Sequence, residues 1–180
     1  MLVLTFLETA AVSQLITASI KVYVGRIRPS GLAMNALGKA EWNMSYVSGH
    51  SSLSFALLTF TALVAAGKTG IYSPRNFVLN GKTNKRGGTP FVLFLFFVGI
   101  PMLAAIFISC SRLVDYKHDF SDVNAGSALG FVTAFSIYFI HYPGLGDQQS
   151  HLSHFASSIQ QSGVQHGIES TSEVELSHMP

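Results

Sequence analysis

Apolar runs close to the length of a bilayer crossing recur four times along the chain, and the segments between them hold most of its charged residues. A transmembrane helix needs about 20 predominantly apolar residues. The runs extend over Leu2 to about Tyr23, about Ser51 to Gly67, Pro90 to Cys110, and Val123 to Tyr142. The third has no charge and is apolar on every side, as expected of a helix that faces lipid. The second is rich in Ser and Thr, which in membranes bond across helix interfaces. Glu8 and Gln14 interrupt the first and are costly in hydrocarbon unless they face other helices, which predicts a place for that helix inside a bundle. No basic segment precedes its apolar part, so it reads as a retained helix and not as a secretory leader. The pattern therefore predicts an all-α, polytopic transmembrane bundle over residues 1–142. From Pro143 to Pro180 the pattern gives way to Ser, Gln, His, Gly and a few acids without Lys or Arg, which predicts a disordered tail.

Composition strengthens this reading. Ala, Val, Ile, Leu, Met, Phe, Trp, Tyr and Cys make up 48% of the 180 residues, and charged residues only 11%. The latter is less than half of the roughly 25% expected of a soluble domain. Fourteen Phe exclude disorder over most of the length. The lone Cys110 allows neither an internal disulfide nor a cysteine-based zinc site. A net charge of +2, divided among separate groups, gives no basic stripe for nucleic acid. The tail histidines His151, His154, His166 and His178 lack the paired spacing of a metal site and read as solvated side chains.

Charge placement predicts orientation. Lys68, Arg75, Lys82, Lys85 and Arg86 crowd the connection between the second and third runs, and short basic loops remain cytoplasmic. The tail then lies in the cytosol, and the connections Val24 to His50 and Ser111 to Asp122 lie on the extracytoplasmic or luminal face. The Asn43-Met44-Ser45 glycosylation sequon agrees with that side.

Those two connections hold the chemistry. Lys21, Arg26 and Arg28 close the first span, Ser48, Gly49 and His50 open the second, and Ser111, Arg112, His118 and Asp122 join the third to the fourth. Taken singly, the three cations read as interfacial anchors, Ser-Gly-His as a helix cap, and His118 with Asp122 as a local ion pair. Together they supply what phosphoryl transfer needs. Arg suits bidentate phosphate contacts and Lys a point charge. One histidine can attack phosphorus, giving a covalent phosphohistidine, while a second protonates the leaving oxygen. Four residues apart on a helix, His118 and Asp122 would share a face, so that the carboxylate could hold the imidazole. No carboxylate cluster suits Mg2+, and no cofactor is expected.

Lys21-Val-Tyr-Val-Gly-Arg-Ile-Arg28-Pro29, then Ser48-Gly49-His50, then Ser111-Arg112-Leu-Val-Asp-Tyr-Lys-His118-Asp-Phe-Ser-Asp122 resemble, in order, the three signature motifs of the type 2 phosphatidic acid phosphatase superfamily. The surrounding residues are most similar to its eukaryotic lipid phosphate phosphatases, and the resemblance covers about Ala11 to Gly130. It implies that Lys21, Arg28 and Arg112 bind the phosphate with hydrogen bonds from Ser48 and Gly49. It further implies that His118 is the nucleophile, that Asp122 orients it, and that His50 is the general acid. The implied activity is Mg2+-independent hydrolysis of phosphatidate, lysophosphatidate or related lipid phosphates on an extracytoplasmic or luminal face.

The chain departs from the family pattern in two ways. Val47 stands where the family usually has Pro before Ser-Gly-His, which is expected to loosen that turn. The family normally has six membrane helices and this chain supplies the last four, which implies an N-terminally truncated form. A four-helix bundle with Glu8 exposed also has reason to associate with a second copy. The alternative is a catalytically impaired membrane protein that binds lipid phosphates or partners. A soluble haloperoxidase with similar motifs fails on the apolar spans. Hydrolysis of glucose 6-phosphate or polyprenyl diphosphates stays open, because the motifs address phosphate and not the rest of the substrate.

Overall fold

The computed structural model describes residues 1–69, 78–79, 82–83, 89–145 and 158. Its first helix, α1 (Leu2–Val24), stops where Gly25 turns left-handed at φ 58° and returns its N–H to the Lys21 carbonyl at 3.1 Å. Glycine adopts that conformation without the Cβ clash that other residues meet. The chain then folds into a short extramembrane strap containing α2 (Gly31–Ala36) and a 3-10 turn over Ala40–Asn43. The strap closes on its own start, with Arg28 N donating to Trp42 O and Ser45 N donating to Arg26 O, both at 2.9 Å.

The second long helix, α3 (Gly49–Thr69), is followed by a two-residue antiparallel ladder between β1 (Val78–Leu79) and β2 (Lys82–Thr83). The third span is composite. It begins as α4 (Thr89–Phe94), widens into a π turn over Leu95–Gly99, and continues as α5 (Ile100–Val114). Pro101 lies just after the wide turn and has no N–H to offer a preceding carbonyl, a usual setting for a local change of helical pitch. The last helix, α6 (Phe120–His141), starts with a capping box in which the Asp119 and Asp122 side chains satisfy each other's backbone amides.

Four helices are long and apolar enough to cross a membrane, over Leu2–Val24, Gly49–Thr69, Val92–Val114 and Phe120–His141. The protein is an all-α integral membrane protein. The helix ends differ from the hydropathy reading for identifiable reasons. Ser48 caps α3 and moves its start ahead of Ser51, Ser111 and Arg112 stay helical in the last turn of α5, and the Asp119 box starts α6 three residues before Val123. His118 therefore precedes α6, and its approach to Asp122 comes from the fold of the cap and not from a shared helical face. The tail expected at 143–180 lies, from 146 onward apart from Ser158, outside the described residues, as do Arg75, Lys85 and Arg86 of the basic connection.

Packing is organised around the seam between α3 and α6, the most extensive helix contact. A Cβ on Gly126 would sit 2.6 Å from the Ser48 carbonyl, and one on Gly130 would sit 2.2 Å from the Ser52 carbonyl. Only glycine at these two positions lets the backbones meet, the device by which small residues four apart join helices where lipid is as apolar as Leu. Toward the opposite end the seam widens into a core of Phe60, Leu63, Val64, Ala134, Ile137, Tyr138 and Tyr142.

The buried face of α1 is a hydroxyl stripe of Thr5, Thr9, Ser13 and Thr17, and Thr17 meets Ser52 of α3 at 2.8 Å. This is the cross-helix bonding expected of a Ser- and Thr-rich second span. Glu8 meets another helix, as its cost in hydrocarbon requires. Its side chain remains 46% exposed beside the stripe, with its carboxylate 2.9 Å from His141 Nε2 on α6. On α5 only Ala105 and Ser109 are buried, which suits a lipid-facing helix.

Candidate active site

The end of α1, the start of α3, the end of α5 and the start of α6 lie at one end of the bundle. The seam sets their register there: Ser48 N donates to the Asp122 carbonyl at 3.0 Å, tying the Ser-Gly-His turn directly to the start of α6. Above this contact opens a cavity of about 300 Å³ lined by Gln14, Lys21, Arg28, Glu41, Gly49, His50, Leu53 and His118. Five of the eight residues expected to form the site, Lys21, Arg28, Gly49, His50 and His118, thus share one pocket.

His118 is buried, with its Nδ1 3.7 Å from Asp122 Oδ2 and 3.5 Å from Ser45 Oγ. The Ser45 contact is a long hydrogen bond and the Asp122 distance lies beyond one. Burial and the nearby charges of Arg28 and Lys21 lower His118 from its ordinary 6.5 to about 4, against the opposing pull of Asp122 and the Ser45 main chain. The ring is therefore neutral at physiological pH, the form that can act as a nucleophile.

Asp122 has no solvent exposure and its carboxylate is fully engaged. Arg26 Nη1 donates to Oδ1 at 2.9 Å, while the Asp119 amide, at 3.1 Å, and the Ser45 hydroxyl both donate to Oδ2. Arg26 also binds Asp119 Oδ2 and Ser121 Oγ, both at 2.6 Å. The three cations at the end of α1 therefore divide. Lys21 and Arg28 line the pocket, whereas Arg26 is committed to the start of α6.

The pocket cations are not all free. Arg28 donates through Nε to the Glu41 carbonyl at 2.9 Å and through Nη2 to Glu41 Oε2 at 3.2 Å. Arg112 does not line the cavity. Its guanidinium lies on Ser111 Oγ and on Asp115 Oδ2 at 3.0 Å, although its charge still acts on His50. Ser48 is buried as the cap of α3, its Oγ accepting from the Ser51 amide at 3.4 Å and the Ser51 hydroxyl at 3.0 Å. The amides of Gly49 and His50 precede the first intrahelical bonds of α3, where a helix start favours an anion. A Cβ on Gly49 would meet Lys21 Nζ at 3.5 Å, which puts the ammonium directly over the turn. Val47, in the place of the usual Pro, is 2% exposed, and the residue after it makes the bond to Asp122. Among the described residues no group of three or more His, Cys, Asp or Glu side chains is arranged to hold a metal.

Three participants escaped the sequence reading. Gln14 looked like a polar fault in a span, yet its Nε2 reaches the Gly49 carbonyl at 3.4 Å. Glu41 stands in the strap with no motif around it. Ser45 was visible only as the last residue of a glycosylation sequon, and in the structure it is buried against Asp122.

Comparison with known proteins gives a consistent picture. The family model of the PAP2 superfamily matches residues 2–144. A PA-phosphatase related-family protein of Dictyostelium discoideum is 32% identical over 149 residues, covering 81% of this chain and 50% of that protein. Lipid phosphate phosphatase 1 of Arabidopsis thaliana is 34% identical over 160 residues, covering 78% and 45%. Lipid phosphate phosphatase 2 of the same plant is 29% identical over 161 residues, covering 78% and 51%. The chain thus spans about half the length of these curated relatives. No solved structure matches it.

Proposed function

The chain belongs to the PAP2 superfamily, and from that premise we propose that it is a lipid phosphate phosphatase that hydrolyses phosphatidate, lysophosphatidate or a related phosphomonoester through a phosphohistidine. One observation carries the reading: the cavity that holds Lys21, Arg28, Gly49, His50 and His118 adjoins an apolar groove at His50 and Leu53. The groove, about 360 Å³, runs along α3 past Leu57 and Leu58 to Phe6 and Ile108, and it shares His50 and Leu53 with the polar pocket. A phosphate seated among the cations would leave its ester oxygen near His50 and its hydrocarbon along the groove.

In this mechanism Lys21 and Arg28 neutralise the phosphate, with hydrogen bonds from the Gly49 turn. His118 Nε2 attacks phosphorus as the ester P–O bond breaks, and protonated His50 gives its proton to the leaving oxygen. Water then attacks the phosphohistidine, neutral His50 takes the proton from that water, and the P–N bond breaks to release phosphate. Asp122 stabilises the charge that grows on the His118 ring. Arg112 reaches the phosphate by exchanging its hold on Asp115 for the new anion, as does Arg28 with Glu41. Residues 1–142 carry this activity, the pocket opens on the extracytoplasmic or luminal side, and residues 143–180 form a cytoplasmic tail.

Val47, in the place of the family's usual Pro before Ser-Gly-His, favours a second reading, a membrane protein that binds lipid phosphates without turnover. Phosphate release from phosphatidate in mixed micelles with EDTA, comparing the 180-residue chain with His118→Ala, separates the two. Metal-independent release that falls by roughly 10⁴-fold or more in the variant is expected of a nucleophile. Saturable lipid binding without release would establish the second reading.

A further inference from the structure

The closest nitrogen–oxygen approach of Asp122 and His118 is 3.7 Å, too long for a hydrogen bond, and the Ser45 hydroxyl lies beside both groups, donating to Asp122 Oδ2 at a point 3.5 Å from His118 Nδ1. All three side chains are buried, and Ser45 is wholly excluded from solvent. A buried hydroxyl can donate one hydrogen bond and accept others. Donating to the carboxylate fixes its proton, which turns a lone pair toward the imidazole. The other carboxylate oxygen is fixed by Arg26, whose backbone carbonyl also accepts the Ser45 amide at 2.9 Å. Arg26 and Ser45 are thus joined to each other and each holds one oxygen of Asp122.

We infer that Ser45 and Arg26 are positioning residues that together hold His118 in the Nδ1–H tautomer, Ser45 by bridging Asp122 to the ring and Arg26 by fixing the carboxylate. The inference rests on the phosphatase reading for its kinetic consequence but not for its structural one. When His118 Nε2 bonds to phosphorus, the ring becomes cationic and its Nδ1–H strengthens as a donor. That hydrogen stays on nitrogen and points to Ser45 Oγ, while the serine proton stays on oxygen and points to Asp122 Oδ2. No proton moves along the chain of bonds. The ring gains a nearby negative charge and a fixed orientation, and Nε2 keeps its lone pair for phosphorus.

The alternative uses of the two residues are weaker. Arg26 as a phosphate ligand would have to leave Asp119, Ser121 and Asp122 at once. Ser45 as a cap or turn residue would not need a side chain aimed at the relay, since its amide alone ties the strap to Arg26.

The test uses the 180-residue chain in detergent micelles, labelled with nitrogen-15 at histidine, as wild type, Ser45→Ala, Arg26→Gln, Arg26→Lys and His118→Ala. The His118 variant assigns the ring signals. The wild-type ring should show the Nδ1–H tautomer near neutral pH, and Ser45→Ala and Arg26→Gln should convert it to a mixture in chains that retain their helical signal and unfolding midpoint. Arg26→Lys, which keeps one charge-assisted bond, should restore part of the wild-type pattern. In turnover assays Ser45→Ala should lower kcat by roughly 10- to 100-fold, the range seen when the partner that orients a histidine is removed, with KM changed less than about twofold. Unchanged ring signals in both Ser45→Ala and Arg26→Gln would overturn the assignment, as would a loss confined to KM. If Ser45→Ala does not fold, Arg26→Gln decides, because Arg26 is 39% exposed and lies at the rim. An inactive wild-type chain with the fixed tautomer would refute the phosphatase reading and leave the positioning assignment standing.

Discussion

The seam between α3 and α6 and the outer helix α5 both bring motif residues to the same end of the bundle, but they hold them by opposite means. At the seam, Gly126 and Gly130 let two backbones touch, so that Ser48 N reaches the Asp122 carbonyl and the turn carrying His50 is locked to the start of α6. On α5 the side chains are large and face outward: Leu103 is 62% and Phe107 76% exposed. Arg112, on its last turn, rests on its own helix neighbours Ser111 and Asp115 and not on the pocket. In the proposed mechanism, the groups that define the reacting geometry sit on the close contact, and a cation that need only close over the phosphate sits on the outer helix. Rigid elements position catalytic groups better than mobile ones, and a long Arg side chain can cover the remaining distance.

The comparison predicts sharply different costs for substitutions on the two helices. Gly130→Leu should have the largest effect. A Cβ there would lie 2.2 Å from the Ser52 carbonyl and 2.8 Å from the Ala56 amide, both backbone atoms that cannot swing aside. Separation of the helices should cost roughly 3 kcal/mol or more. The unfolding midpoint in detergent and phosphate release should fall together, and a well-folded, active Gly130→Leu chain would remove the seam as the organiser of the site.

Arg28→Gln tests the pocket above the seam. Arg28 is the largest charge lowering His118 to about 4, after burial itself. Removing it relieves repulsion on the imidazolium, so the folded-state value should rise toward the ordinary 6.5. In the proposed mechanism His118 attacks in its neutral form, so the acid limb of the kcat/KM profile should move to higher pH as well as losing amplitude. Stability follows the same sign. In the wild type, His118 binds a proton more readily in the unfolded chain, so its contribution to stability falls as pH drops from about 6.5 through about 4. Arg28→Gln should narrow that window, measured as the pH dependence of the unfolding midpoint. An acid limb that stays in place would mean that another group limits the rate.

Leu103→Ala, on the exposed side of α5, should have the smallest effect, within about 0.5 kcal/mol. A large drop in its unfolding midpoint would show that this face of α5 is covered and not open to lipid.

Much of this architecture was legible without coordinates because it depends on composition over long windows. Four spans, their separation by polar segments, and the gathering of Lys21, Arg28, His50, Arg112, His118 and Asp122 at span ends all follow from the requirement that backbone polar groups in hydrocarbon be satisfied within helices. Span ends were less legible, since Ser48 and Asp119 extend helices by capping bonds that hydropathy does not register. The site was legible in its residue types and not in its contacts. Arg26 and Arg28 stand two residues apart in the same basic segment, yet Arg26 holds Asp122 and Arg28 faces the pocket. Glu8 and Gln14 looked alike as polar intrusions in one helix, yet Glu8 meets His141 at 2.9 Å and Gln14 lines the cavity that holds Lys21, Arg28 and His118.

By itself the sequence determined which segments enter the membrane, because burying a charge or an unpaired amide in hydrocarbon outweighs local preferences. It also determined the set of cations, histidines and carboxylates gathered at the span ends. Only the tertiary structure decided which of those groups meet, because the approach of α3 to α6 across two glycines sets the register, and a shift of one helical turn would part Ser48 from Asp122 and leave Ser45 and Arg26 with nothing to hold.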